Sequence, residues 1–384
     1  MNILASATAG IVVACGLAPQ ASHAVSPKTL YSFTQQSGWL SGGAFLIDRQ
    51  GVMYGTAAKG GSAGAGTVFR FDPKSSVFTV LYNFLGGADG AQPVPGLVLD
   101  HSGVLYGATA GGGASGQGTV FQLHPSTGAE TVLHSFGGAG DGAQPTYAPV
   151  LGQDGKLYGA TTGGGAANDG SIYALSPRSG KESVVFSFDG ANGQAPIALT
   201  EDASGIFYGV ASLAGPQTRG LIFQFDPSSG AEADLFDFPK EVIQASYMPL
   251  TLGNGGLLYG SAVNLSERSL VFSLNVSTKV YSQIYSFGPF VAAVNSAMVL
   301  DSAGRLYGET NAETDYGEIF QLDPATGVET TIYTCNFNLK ARGGEPHGLV
   351  FGKKGLLYGA MYVGGASYGG HKALGDGTIF SIKP

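Results

Sequence analysis

The residues with most chemistry to offer crowd into one irregular stretch. Lys340, Arg342, Glu345 and His347 lie close together, and Tyr368, His371 and Lys372 follow in a Gly-rich run from Gly364 to Gly377. A carboxyl and an imidazole held side by side make a general acid/base pair, and His titrates nearest neutral pH. Set against that, the interval from Phe320 to Phe380 is 60 residues where about 50 is the rule, so a solvated insertion is the plainer reading. Trp39, the only Trp, offers a face for stacking on a sugar or, equally well, for packing on a neighbouring sheet. Three aspartates, Asp89, Asp141 and Asp189, open related segments: Asp89-Gly90-Ala91-Gln92-Pro93, Asp141-Gly142-Ala143-Gln144-Pro145 and a looser Asp189 to Pro196. A ring of such carboxylates and amides could bind a sugar or Ca²⁺, which takes several oxygen ligands. The competing reading is that each Asp closes an Asx-turn ahead of a strand. No other cofactor is expected.

Other motifs carry less. Gly60-Gly61-Ser62-Ala63-Gly64 and Gly365-Ala366-Ser367-Tyr368-Gly369 match Gly-x-Ser-x-Gly, but a nucleophile elbow needs a strand–turn–helix. Two cysteines, Cys15 and Cys335, make no disulfide framework and no zinc spacing; Cys335 reads as a small buried residue. Ile3 to Ala18 is apolar and small and ends in Ala21-Ser22-His23-Ala24, the form of a signal-peptidase site. Val12-Val13-Ala14-Cys15 has the form of a lipobox, which makes Cys15 a lipidation candidate. Residues 1–24 are therefore read as a signal peptide or lipoprotein leader, although no Lys or Arg precedes Lys28. The expected location is secreted or cell-envelope, including the cell surface and periplasm. The apolar run is too short and too broken by Gly for a transmembrane anchor.

These residues must be positioned by a repeat. Tyr-Gly recurs at Tyr54, Tyr106, Tyr158, Tyr208, Tyr259, Tyr307 and Tyr358, with spacings of 52, 52, 50, 51, 48 and 51. That is the period of a propeller blade. A β-branched–aromatic marker follows each pair, as in Thr67-Val68-Phe69 and Thr378-Ile379-Phe380. A third marker, Leu30-Tyr31-Ser32-Phe33, echoes six times and degrades to Ile332-Tyr333-Thr334-Cys335 in its last copy. One unit reads as four strands; in the third copy these are A (148–152), B (156–161), C (171–175) and D (183–188). Asp-Gly and Pro-x-x-Gly between them are hairpin turns. The chain opens on an isolated D strand, Thr29 to Phe33, and closes after a C strand, Thr378 to Ile382. The first strand can complete the last blade and remove the exposed edge. The expectation is all-β: residues 25–384 as a single closed seven-bladed β-propeller of four-stranded blades. The Tyr of each Tyr-Gly pair should be inter-blade core, with the Gly admitting the next sheet.

The G-x-Leu-Tyr-Gly-x-Thr, Gly-Gly, Gly-Thr-Val-Phe and Asp-Gly-Ala-x-Pro elements resemble the bacterial choice-of-anchor tandem-repeat proteins of the GloVer type, over residues 29 to 384. The resemblance implies an exported, surface-associated protein and no established chemistry. The chain departs from the pattern in stopping at Pro384 without a C-terminal anchor, and blades four to six lose the Gly-Gly loop.

Composition narrows the function. Gly numbers 63 of 384 residues, only 12% are charged and 11% are aromatic, so the chain folds rather than staying disordered. A net charge of −8 argues against nucleic acid as a partner. In a propeller the A–B and C–D turns are short and share one face, while the long B–C and D–A loops share the other. Function on a rigid scaffold sits on long loops. The expectation is a monomeric, non-enzymatic binding module that takes a glycan or protein partner on the long-loop face. A lyase or hydrolase with its site at the seventh blade and channel mouth is the alternative, and a purely structural surface protein the third reading.

Overall fold

The computed structural model describes residues 26–39, 43–137, 140–217, 219–245, 248–266, 268–288, 291–294, 296–312, 317–335, 344–365 and 376–384. Cys15, Lys340, Arg342, Tyr368, His371 and Lys372 lie outside them, as does the leader. Seven antiparallel sheets follow one another along the chain, each built as inner strand, B, C and outer strand D, in a propeller arrangement. Among the described residues the only helical elements are three single 3₁₀ turns. In the last blade Gly344–Phe351, Leu357–Val363 and Thr378–Ile382 are completed by Lys28–Ser32, which pairs antiparallel with Thr378–Ile382.

The blades pack through one repeated contact. The Phe ending each outer strand meets, edge to face, the aromatic of strand C in the next blade. The centroid distances are 5.2 Å for Phe84–Phe121, 5.1 Å for Phe136–Tyr173, 5.2 Å for Phe188–Phe223, 5.6 Å for Phe238–Phe272 and 5.0 Å for Phe287–Phe320. Phe33 meets Phe69 the same way at 5.3 Å, so the seam from blade 7 to blade 1 has the geometry of the others. Between blades 6 and 7 the Phe is replaced by Cys335, fully buried with Phe380. Burial pushes its thiol up to about 12, which leaves it inert.

The Tyr-Gly pair does two jobs. The rings of Tyr54, Tyr106, Tyr158, Tyr208, Tyr259 and Tyr307 are buried in the inter-blade clusters. Five of their hydroxyls donate back to the turn aspartate between strands A and B: Tyr54 to Asp48, Tyr106 to Asp100, Tyr158 to Asp154, Tyr208 to Asp202 and Tyr307 to Asp301. The Gly admits a ring from its own blade rather than the next sheet. A Cβ on Gly107 would sit 2.5 Å from Phe121 Cζ, and one on Gly308 2.5 Å from Phe320 Cζ.

The inner strand departs from the sequence reading. The Asp-Gly-Ala-Gln-Pro segment, expected as a D–A loop, supplies its first half: Ala91–Pro93 and Val98–Leu99 both pair with Leu105–Gly111, and Gly142–Pro145 and Val150–Leu151 both pair with Leu157–Gly164. Pro is tolerated because the inner strand is a sheet edge facing the propeller axis. The residue before each Pro takes a left-handed conformation: φ is 57° at Gln92, 58° at Gln144, 50° at Ala195 and 54° at Glu345. That twist turns the N–H out of its own sheet. Gln92 donates to the Ala65 carbonyl, Gln144 to Gln117 and Ala195 to Asp169, each in the preceding blade's B–C loop.

Candidate functional site

Asp89, Asp141 and Asp189 are each held within their own turn. Asp89 accepts the Tyr82 hydroxyl at 2.6 Å and the Leu85 N–H at 2.6 Å. Asp141 accepts the Gly142 and Gly137 N–H groups at 2.7 and 3.1 Å and lies 3.0 Å from His134 Nε2. Asp189 accepts from Ala191 and Asn192, an Asx-turn. Their carboxylates are occupied along separate seams and do not converge as a ring.

Convergence occurs where blade 7 meets blade 1. The half-buried Trp39 ring lies 6.4 Å from that of Tyr362, 24° from parallel. His347 approaches the edge of Tyr362 at 6.0 Å. Lys59 Nζ sits 5.8 Å from the Trp39 ring centre, within cation–π range, and the backbone N–H of Trp39 donates to the Lys59 carbonyl at 2.7 Å. The inner strand delivers His347 here, two residues beyond the left-handed Glu345, and strand B delivers Tyr362. Burial holds the Glu345 carboxyl above its ordinary value. A shallow pocket of about 300 Å³ opens beside Lys59, lined also by Gln92, Pro93, Val94, Pro145 and Thr146. Aromatic faces and one cation therefore share the corner between blades 7 and 1, and the pocket beside Lys59 is lined from blades 1, 2 and 3. Ser62 of the Gly-x-Ser-x-Gly match lies in a turn with no helix after it, where its N–H is held by Asn83.

The sequence reading picked out Trp39, Glu345 and His347, and the structure brings Trp39 and His347 both against the Tyr362 ring. Tyr362 and Lys59 were missed. Both follow a strand-B Tyr-Gly, at positions where other blades carry residues of different type, and no spacing rule marks them. Glu309 was missed too. It stands where the other blades have Thr56, Ala108, Ala160, Val210, Ser261 and Ala360, and that break in the pattern was the available signal. It is fully buried and accepts the Ser296 hydroxyl.

Several carboxyls are held protonated well above the usual range. Burial raises Glu130, Glu182 and Glu309 to about 7 and Glu232 to about 8, with Asp89 adding to the shift at Glu130 and Asp141 at Glu182. Each keeps a proton that the unfolded chain releases near pH 4.3, so its favourable contribution is complete below that pH and is lost as pH rises through the folded value. At the turn aspartates the sign is opposite. Burial raises Asp100, but hydrogen bonds from Ser102, Val104 and Tyr106 outweigh it and leave the carboxyl low, so its contribution is lost only in stronger acid. Stability should peak near pH 5 and fall towards pH 8 by several degrees in melting temperature. Thermal melts in chelator-containing buffers from pH 4 to 9 would read this directly; a melting temperature that rises from pH 5 to 8 contradicts it. Among the described residues, one set of three His, Cys, Asp or Glu ligand atoms comes within reach of a single ion: His134, Asp141 and Glu182.

The fold is widely shared. The extracellular domain of a one-component system from B. thetaiotaomicron superposes with a TM-score of 0.63 at 11% identity, covering 93% of this chain and 40% of that one. An oligogalacturonate lyase solved with manganese gives 0.60 at 14% identity, covering 91% and 89%. A second oligogalacturonate lyase, from Vibrio parahaemolyticus, gives 0.60 at 11%, covering 95% of each chain. No curated protein matches the chain in sequence. At these identities the likeness concerns the fold. The sequence itself is matched at residues 12–212 and again at 195–384 by the model of the Gloeobacter/Verrucomicrobia repeat, nearly end to end, and the chain belongs to that family.

Proposed function

We propose that the protein is an exported binding module that takes a glycan at the corner formed by Trp39, Tyr362, His347 and Lys59. The observation that carries this reading is the pairing of two near-parallel aromatic rings with a cation, beside a pocket offering Gln92 and Thr146. Aromatic faces suit the apolar faces of sugar rings, and the amide and hydroxyl suit their hydroxyl groups. Lys59 places a positive charge beside the Trp39 ring in a chain of net charge −8. Acidic oligosaccharides are therefore the first to test, and the lyases that share the fold put oligogalacturonides at the head of that panel. No described helix is long and apolar enough to cross a membrane, in keeping with export.

The experiment is a thermal-shift and calorimetric panel of neutral and acidic oligosaccharides on residues 25–384. A ligand at 100 times its Kd adds about 2.7 kcal/mol of stability, a visible shift. Trp39→Ala should abolish that shift while leaving the ligand-free melt nearly unchanged. A flat panel, or binding that survives Trp39→Ala, rejects the assignment. The catalytic reading draws on His347, whose imidazole lies at the same corner. Turnover of a bound sugar that vanishes in His347→Ala would move the protein into that class.

A further inference from the structure

The seams between outer strands repeat one arrangement with a changing centre. Between blades 1 and 2 the Tyr82 hydroxyl donates to Asp89 at 2.6 Å, and Glu130 from the next outer strand faces the same hydroxyl. Between blades 3 and 4 the corresponding centre is Phe186, with Asp189 in its own turn and Glu232 nearby. Between blades 2 and 3 the centre is His134. Its Nε2 lies 3.0 Å from Asp141 Oδ2 and 4.0 Å from Glu182 Oε2.

Glu182 is the unresolved member. Its side chain is only 10% exposed, its Oε1 is buried without a hydrogen-bond partner, and its Oε2 is too far from Nε2 for a hydrogen bond. An unpartnered buried carboxyl oxygen is costly; Glu130 and Glu232 at the equivalent positions carry one too, but among the described residues only Glu182 shares its space with a His and an Asp within reach of one ion.

We propose that His134, Asp141 and Glu182 form a binding site for a divalent transition ion, Zn²⁺ foremost, clamping the outer strand of blade 2 to that of blade 3. The three ligand atoms lie within 4.8 Å of one another. In a tetrahedral site with bonds of about 2.1 Å the ligand atoms stand about 3.4 Å apart, so closing the set needs Glu182 to move inward by on the order of 1 Å. The donor set decides the metal. Imidazole with two carboxylates suits Zn²⁺ or Mn²⁺, whereas Ca²⁺ takes oxygen alone, which replaces the Ca²⁺ expectation at this place. Three protein ligands leave one position for water, and the His134 side chain is 20% exposed.

The test uses tag-free protein stripped with chelator and titrated with Zn²⁺ at pH 7.5, read by calorimetry, metal analysis and melting temperature. The expected result is one Zn²⁺ per chain and a raised melting temperature that chelator reverses. His134→Tyr recreates the centre of the blade 1–2 seam, so it should fold and melt like the metal-free protein yet bind no Zn²⁺ there. Glu182→Gln should weaken binding by about tenfold or more. Failure of the wild type to take up Zn²⁺ or Mn²⁺ overturns the proposal, in favour of a His134–Asp141 hydrogen bond that needs no ion. So does a full equivalent of Zn²⁺ retained by His134→Tyr. Neither result bears on the glycan corner, which lies on another seam.

Discussion

Gly348→Ala is expected to destroy the folded ring, with a loss of more than about 4 kcal/mol. Gly348 sits on the inner strand of blade 7 with φ of 69°, where its sheet pairing shifts register between His347 and Val350. A Cβ there would overlap the carbon and oxygen of the Gly43 carbonyl group. Those are backbone atoms of blade 1 and cannot rotate away. Gly43 is confined from the other side but less severely, since its own Cβ would come 3.0 Å from the His347 carbonyl oxygen. The control is Gly155, in the A–B turn of blade 3, with φ of 79° and nothing within 4 Å of a new Cβ. Gly155→Ala carries only the left-handed backbone penalty, about 1–2 kcal/mol. Denaturant midpoints of the two variants, measured side by side, should differ several-fold in their displacement from wild type. Equal displacements would mean the inner strands do not meet as closely as described.

Phe33→Ala is expected to cost about 3–5 kcal/mol, the usual range for emptying a buried aromatic site. Phe33 is fully buried and packs against Phe69 and Phe78, and its neighbour Tyr31 stacks on Phe78 at 4.0 Å. The informative comparison is Phe136→Ala, which removes the same contact inside the ring, between blades 2 and 3. If the first strand is a full member of blade 7, the two variants lose similar stability. A loss at Phe33 far below that at Phe136 would show the closing strand to be frayed.

How far the sequence led depends on whether the information was local or shared between blades. Blade number, strand order and the closing strand were legible because Tyr-Gly, the β-branched–aromatic marker and the Leu-x-Ser-Phe run recur in a fixed phase, and each encodes one strand by itself. The inner strand misled because Gly and Pro at Gly90 and Pro93 carry turn chemistry, whereas Ala91–Pro93 is a strand edge free to accept Pro. At the corner of blades 7 and 1, Trp39 stood out as a unique residue type; Tyr362 and Lys59 did not, because contacts between the first and last blades have no sequence spacing. His134 and Glu182 are likewise one repeat apart. The trace they leave is a His where the other copies of the Leu-x-Ser-Phe run carry Tyr or Phe.

The pairing of Lys28 with Ser381 joins residues about 350 positions apart, and so fixes an order of events. The strand synthesised first is the last to find its place, because its partner, Thr378–Ile382, is made only at the end. Six blades can stack as they emerge, each on its predecessor, while the apolar face of Leu30, Tyr31 and Phe33 waits uncovered. Such long-range pairing is slow, and an uncovered strand is open to wrong partners. Completion of the ring is thus a single late step that reports on all seven blades: a molecule truncated before Thr378 keeps an open edge.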